Sequence, residues 1–228
     1  MTTENNIYEG KIDNTPDWFY PEWAANAPYN NPIMVRDTDS ALGRYNQKTK
    51  SIGLKDLSRI HGHMCDGLVI AFVEIKGVFE KLFPEGVVDR TDLQVVSKNG
   101  PCWADAAALM TGARINFKTL RIDASIGDGF IIQRISTGEA YQVHLRPGVF
   151  PDDQAALENK IRNLRAQGKP VTAEDIDAVE KMGDALSLKL LTTPAEQLLD
   201  IEKLENYKFS VSDMFGNRGD IINKDMPR

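Results

Sequence analysis

The sequence predicts an α+β fold in which helices pack against a mixed β-sheet. Three observations lead to this prediction: an apolar stripe with helical spacing over residues 67–83, two strand-like runs that flank Thr137-Gly138, and a helical pattern over residues 152–206. The length of 228 residues suits one large domain or two small ones. The order helix, strand, helix and then several strands favours a single mixed sheet in the centre of the chain.

The clearest element is the helix predicted over residues 67–83. Its apolar side chains recur at spacings of four and three residues, at Leu68, Phe72, Ile75, Phe79 and Leu82. Other apolar residues flank this stripe, so we expect burial on most of the helix surface. A second helix, over residues 102–110, is rich in alanine and can therefore pack closely against a neighbour.

Short apolar runs predict the strands of the sheet. The last two runs form a hairpin, because Thr137-Gly138 between them is a turn sequence. The predicted strands cover residues 93–96, 119–123, 130–135 and 141–145.

Composition divides the chain into an N-terminal arm (1–51), an α+β core (52–150) and a helical extension with a polar tail (151–228). The arm contains prolines and aromatic residues, so it has no long helix and is unlike a solvated tail. We expect it to wrap the core or a neighbouring subunit, or alternatively to cover a pocket as a lid. The helices of the extension are expected to form an α-hairpin that packs on the core or on a dimer partner.

The charge balance bears on the possible partners. The chain has 27 Lys and Arg residues against 33 Asp and Glu residues, a formal net charge of −6, and it has no basic cluster. Nucleic acids and anionic membranes attract clustered cations, so neither is an expected partner. No apolar run reaches the ~18 residues of a membrane span, and residues 1–10 lack the pattern of a secretory signal. We therefore expect a cytoplasmic protein.

One segment concentrates the reactive side chains, His61-Gly62-His63-Met64-Cys65-Asp66-Gly67. It holds two of the three histidines and one of the two cysteines in the chain. Imidazole nitrogen and thiolate sulfur are the donors that suit Zn²⁺ and similar ions. The alternative interpretation is a capping or hydrogen-bonding loop at the start of the predicted helix.

The second cysteine, Cys102, is also expected at a helix N-terminus, where the helix dipole favours a thiolate. If the two helices pack side by side, Cys102 meets Cys65, and one of His61 and His63 completes a site with three protein ligands and an open position. A small buried cysteine is the alternative for Cys102.

Three further polar residues could belong to such a site or lie outside it. Asp105, one turn after Cys102, could orient a ligating histidine or simply interact with the helix dipole. The same two roles are open to Asp66 beside Cys65. The third histidine, His144, lies in a predicted hairpin strand, and we expect it to be structural.

Two blocks of this sequence resemble a known family. The run from Ile60 to Leu68 is similar to the His-Gly-His-x-Cys-Pro-Gly signature of FmdE-like proteins, which are named after one component of molybdenum- or tungsten-dependent formylmethanofuran dehydrogenase. Cys102-Trp103-Ala104-Asp105-Ala106, followed by Thr111-Gly112, is similar to the second family block. The resemblance covers about residues 52–150. The chain departs from the family pattern at Asp66, where proline is usual, and at Ala113, where a cysteine is frequent.

The resemblance implies an α+β fold with a mixed sheet, a homodimer and a metal site. The implied ion is Zn²⁺, with Fe²⁺ or haem as alternatives, and the implied ligands are His61, His63, Cys65 and Cys102. Many family members carry a C-terminal cysteine-rich zinc ribbon, whereas the C-terminal region of this chain is free of cysteine.

Two functions follow from this site. The first is a metal-dependent enzyme (an oxidoreductase, lyase or hydrolase) that acts on a small molecule, with Cys65, Asp66 and Asp105 as catalytic groups. The second is a metal- or haem-binding accessory protein without turnover, which serves a molybdenum, tungsten or other redox enzyme. A purely structural role leaves the His/Cys segment unexplained.

Overall fold

Helix α3 (Asp66–Leu82) is the central element of the structure, a computed structural model that describes residues 17–211. Thirteen of its 17 residues are buried. Strands cover one side of α3 and other helices cover the rest, which explains why its apolar residues are not confined to a single stripe. The sequence prediction of a mostly buried helix over residues 67–83 is therefore confirmed.

The structure is an α+β fold, as predicted. The helices are α1 (Glu22–Ala25), α2 (Leu54–His61), α3, α4 (Pro101–Thr111), α5 (Asp152–Ala166), α6 (Ala173–Thr192) and α7 (Ala195–Leu198). The strands are β1 (Ile33–Arg36), β2 (Lys50–Ile52), β3 (Val87–Asp89), β4 (Leu93–Ser97), β5 (Leu120–Ile122), β6 (Phe130–Arg134), β7 (Ala140–Leu145) and β8 (Leu199–Leu204).

The strands form two sheets. The four predicted strands all lie in one mixed sheet, as expected, and a second, smaller sheet was not predicted. Five strands in the order β5-β4-β6-β7-β8 make the larger sheet, which is mixed because β4 and β5 run parallel and the other neighbours run antiparallel. The smaller sheet has the order β2-β1-β3. Its strands β1 and β2 come from the arm, where runs of only three or four residues give a weak periodic signal.

The predicted hairpin is confirmed. Strands β6 and β7 pair antiparallel with Ile132 opposite Tyr141, and the chain turns at Thr137-Gly138. Gly138 has a φ of 75°, a backbone conformation that glycine adopts without a steric penalty. The inner face of this hairpin packs on α3.

The C-terminal region packs on the core of its own chain. Helices α5 and α6 contact each other, and α6 also contacts α3, as expected for an α-hairpin. The helical prediction is wrong for residues 199–204, which form β8 and pair with β7 at the edge of the sheet. Here Leu199 and Ile201 lie against Gly77 of α3, where a Cβ atom would stand 2.7 Å from Leu199 Cδ1. The absence of a side chain at Gly77 lets β8 approach the helix.

The arm, from residue 17 onward, packs against the core. The backbone N–H of Tyr29 donates to the carbonyl of Leu191 in α6, and Lys76 of α3 donates to the carbonyls of Tyr29 and Asn31. Ala24 in α1 is fully buried. Residues 1–16 of the arm and residues 212–228 of the tail lie outside the described residues. Over residues 17–211, no helix combines the length and the hydropathy of a membrane span.

Candidate metal centre

The first donor of the cluster is His61, the last residue of α2. Gly53 caps the N-terminus of helix α2, and its N–H donates to the Asp56 carboxylate at 2.9 Å. Gly62 caps the C-terminus, and its φ of 103° turns the chain away from the helix. The His61 side chain is only 6% exposed, and its Nδ1 lies 2.7 Å from Asp105 Oδ2. With the Nδ1 proton donated to this carboxylate, the lone pair of Nε2 is free to bind an ion.

The two sulfur donors come from the N-termini of α3 and α4, as predicted from the sequence. Cys65 is the N-cap residue of α3, and Cys102 is the second residue of α4, after Pro101. The helices approach closely because Gly67 has no side chain. A Cβ atom at this position would lie 3.0 Å from Cys102 Sγ and 3.3 Å from Cζ3 of Trp103.

Three donor atoms converge to form a triangle. The Sγ atoms of Cys65 and Cys102 are 3.5 Å apart, and His61 Nε2 lies 3.6 Å from Cys102 Sγ and 4.0 Å from Cys65 Sγ. Zinc–sulfur bonds of about 2.3 Å and zinc–nitrogen bonds of about 2.0 Å give a tetrahedron with edges of about 3.5–3.8 Å. The donor types and their separations therefore fit one tetrahedral ion, with one vertex left for a further ligand.

His63 lies at the edge of this triangle. Its ring centroid is 4.8 Å from that of His61, and the ligand atoms of His61, His63 and Cys65 all lie within 4.8 Å of one another. His63 is exposed, whereas His61 is buried and held by Asp105. Of the two candidate histidines, His61 is thus the one already positioned against both thiols.

The two thiols differ in their acidity because they are in contact. The Cys102 S–H donates to Cys65, the backbone N–H of Leu68 supports the same thiolate, and the two nearby histidines favour its negative charge. Together these contacts lower the pKa of Cys65 to about 6, although burial opposes them. The pKa of Cys102 is raised, because ionising it would place a second thiolate beside the first in a partly buried site.

The structure separates the two candidate aspartates. Asp105 contacts His61, the geometry expected of a residue that orients a ligand. The Asp66 carboxylate instead accepts from the side chain of Gln154 in α5 at 2.5 Å and from the Gly67 backbone N–H at 2.8 Å. Asp66 therefore connects the start of α3 with the C-terminal helices. His144 lies on β7, with its Nε2 4.0 Å from the Asp200 carboxylate, outside the cluster.

Two structural features that build the site were not predicted from the sequence. Helix α2, which positions His61, was not predicted, although Leu54 and Leu57 are buried at helical spacing and Gly53 precedes Asp56 by three residues. The contact between Asp66 and Gln154 spans 88 residues of sequence. No local pattern could have indicated it.

The fold and the cluster define a class of protein: an α+β protein with a His/Cys donor site between two helix N-termini. The family described as FmdE, molybdenum formylmethanofuran dehydrogenase operon, matches residues 60–200, which is more than half of the chain. This protein belongs to the FmdE family. The match extends past the two sequence blocks and includes α5, α6 and α7.

A similar solved structure is the crystal structure of a tungsten formylmethanofuran dehydrogenase FmdE-like protein from Syntrophus aciditrophicus. It is 15% identical, the alignment covers 67% of this chain and 72% of that chain, and the TM-score is 0.35. A comparison with curated proteins found no match. The family assignment therefore depends on the sequence match over residues 60–200.

The unequal acidity of the two thiols predicts selective alkylation of the metal-free protein. We expect iodoacetamide to modify Cys65 first, with a rate that rises with pH through a midpoint near 6, because only the thiolate reacts. In Cys102→Ala, the lost S–H donor should move this midpoint toward the ordinary thiol value. Peptide mass spectrometry over a pH series measures both effects. Equal alkylation rates at the two cysteines of the native chain would contradict the conclusion that their thiols share one proton.

The close approach at Gly67 predicts that Gly67→Ala weakens metal binding although it removes no ligand. The new methyl group would displace Cys102 by a few tenths of an ångström, and we expect roughly 10-fold lower Zn²⁺ affinity, the effect of losing a supporting residue. Gly183→Ala in α6 is the control, since its Cβ would make an ordinary 3.4 Å contact with Asp66 Cγ. Competition with a chromophoric chelator measures both affinities. Equal affinities would show that this contact does not hold the cluster in place.

Proposed function

We propose that this FmdE-family protein binds one Zn²⁺ ion through His61, Cys65 and Cys102 and acts on a small molecule at the open coordination position. The observation that carries the proposal is the triangle of Nε2 and two Sγ atoms with edges of 3.5–4.0 Å. Three donors that converge on one point also favour a single small ion over haem. Fe²⁺ is the alternative ion for the same ligand set.

When bound, such an ion would polarise a carbonyl group or lower the pKa of a bound water molecule. The residues of the chain prepare the site for this chemistry. Asp105 fixes the tautomer and orientation of His61, so it acts as a positioning residue. In the metal-free site, the low pKa of Cys65 supplies a thiolate at neutral pH and the proton stays on Cys102, which would release it when the ion binds. Asp66, engaged by Gln154, holds α5 against the start of α3.

His63 supports a second candidate function. If this exposed histidine turns inward, it becomes a fourth protein ligand, because the donor atoms of His61, His63 and Cys65 already lie within 4.8 Å of one another. A closed site with four ligands is typical of structural or carrier roles. In that case the protein is a non-catalytic accessory protein that supplies or senses the metal for a molybdenum, tungsten or other redox enzyme.

The proposal includes a homodimer, a small-molecule substrate and a cytoplasmic location. The homodimer is carried over from the sequence resemblance to FmdE-like proteins. The net charge of −6 supports the expectation that nucleic acid and anionic membranes are not partners. Size-exclusion chromatography with light scattering tests the oligomeric state independently of the metal site.

The ligand assignment predicts the metal content of purified variants. Cys65→Ser and His61→Ala should lose most of the bound ion, because each removes one of only three donors. His144→Ala should keep the ion, since His144 lies against Asp200 on β7 and β8. Elemental analysis measures the metal content. An absorption spectrum of the same samples reveals haem through a Soret band. Unchanged metal content in Cys65→Ser would refute the assigned ligands.

His63→Ala separates the two functions in the same experiment. If His63 is not a ligand, this variant keeps its metal and the site has an exchangeable position, as an enzyme requires. Loss of the metal from His63→Ala would favour the closed site and the accessory role.

A further inference from the structure

A cavity lies beside α3, outside the His/Cys cluster. Its volume is about 640 Å³, within the range of small-molecule sites. Its walls come from α3, the start of α4, the segment that follows β7, and α5. Neither His61, Cys65 nor Cys102 is among its lining residues, so the cavity is a separate site. None of the described arm residues, 17–51, lines it, and α5 forms part of its wall.

The wall of this cavity contains a buried acid, Glu74, which is only 1% exposed. Trp103 Nε1 donates a hydrogen bond to its carboxyl group at 3.2 Å. Burial raises the pKa of Glu74 to about 8, so the carboxyl is mostly protonated at neutral pH. A protonated carboxyl has an O–H group that can donate to an acceptor on a ligand. An apolar side chain at this position of α3 would avoid the cost of burying a carboxyl.

Three cationic side chains line the cavity near this acid, Lys98, Arg146 and Arg162. Each of them pairs with one carboxylate, Lys98 with Asp128, Arg162 with Glu158 and Arg146 with Asp200. A guanidinium group has five N–H donors, so one ion pair leaves further donors on each arginine, and their fork geometry suits a second carboxylate. The two arginines therefore favour an anionic ligand over a cationic one.

The remaining lining residues provide an apolar surface. Ile70 on α3 and Leu145 and Phe150 near β7 line the cavity, and Trp103 presents its indole ring. Lys98 Nζ lies 3.9 Å from the centre of that ring and also pairs with Asp128, so the indole is fixed by contacts with both Lys98 and Glu74. Such a surface suits the flat or aliphatic body of a small molecule.

We propose that this cavity binds a small organic carboxylate with an apolar body. The carboxylate of the ligand faces the guanidinium groups of Arg146 and Arg162, the apolar body lies against Ile70, Leu145 and Phe150, and an acceptor atom on the body takes the hydrogen bond from Glu74. The site is independent of the proposed metal function, because all of these contacts come from residues outside the cluster.

A matched pair of probes tests the proposal on the full chain. Quinoline-4-carboxylate has an aromatic body, a ring nitrogen that accepts a hydrogen bond, and the carboxylate, whereas quinoline-4-carboxamide has the same body and ring nitrogen without the charge. Isothermal titration calorimetry should give one site per chain for the carboxylate probe, with about 10-fold weaker binding of the amide probe because the charge-assisted hydrogen bonds are lost. Equal affinities for the two probes, or no binding of the carboxylate probe, would overturn the proposal.

Two variants locate the binding in the cavity. Arg162→Gln on α5 should weaken binding of the carboxylate probe severalfold and leave binding of the amide probe unchanged. Glu74→Leu should weaken binding of both probes because the donor to the ring nitrogen is lost, whereas Glu74→Gln, whose amide N–H can still donate, should bind them like the native chain. Glu80→Gln, on the same helix but outside the lining of this cavity, is the control. Native affinity for the carboxylate probe in both Arg162→Gln and Glu74→Leu would place the binding elsewhere.

Discussion

The close approach of two helix N-termini is the constraint on which the structure of the site depends. Helices α3 and α4 meet at Gly67, and this contact brings Cys65 and Cys102 to within 3.5 Å of each other. The alanine-rich α4 and the buried surface of α3 permit the approach, and α2 then adds His61 at the open side of the pair. Because backbone amides at both helix starts favour negative charge, the same geometry also stabilises a thiolate.

Electrostatics differ between the two sites, although a single short segment connects them. Cys102 belongs to the thiol pair, and the next residue, Trp103, hydrogen-bonds to Glu74 in the neighbouring cavity. In the first site, one proton is shared by two sulfur atoms, so the pair retains a negative charge for a cation. In the second, burial favours the neutral form of the Glu74 carboxyl, so this acid adds little negative charge to a wall that contains two arginines. Adjacent positions of α4 thus contribute to two sites, one proposed for a cation and one for a carboxylate.

Local sequence patterns were sufficient for the elements with strong periodicity. The stripe from Leu68 to Leu82 predicted α3, the turn at Thr137-Gly138 predicted the β6–β7 hairpin, and the concentration of His and Cys residues predicted where the donors are. The expectation that Cys102 meets Cys65 also agreed with the structure, because two buried helices that begin side by side bring their first turns together. The role of Asp105 was one of two alternatives, and only its contact with His61 distinguishes them.

The remaining features depend on long-range packing that no local pattern contains. Strand β8 was mistaken for helix because its residues follow a long helical region, and its pairing with β7 and its contact with Gly77 decide its conformation. The small sheet was missed because β1 and β3 pair across about 50 residues of sequence. Glu74 lies within an apolar helical stripe, and the sequence alone gives no indication that Trp103, Lys98 and α5 surround it.

X-ray absorption spectroscopy at the metal edge of the purified protein tests the central claim most directly, because it counts the atoms bound to the ion. The account predicts two sulfur scatterers at about 2.3 Å and at least one nitrogen scatterer at about 2.0 Å. A spectrum with only nitrogen and oxygen neighbours would show that the paired thiols do not bind the metal.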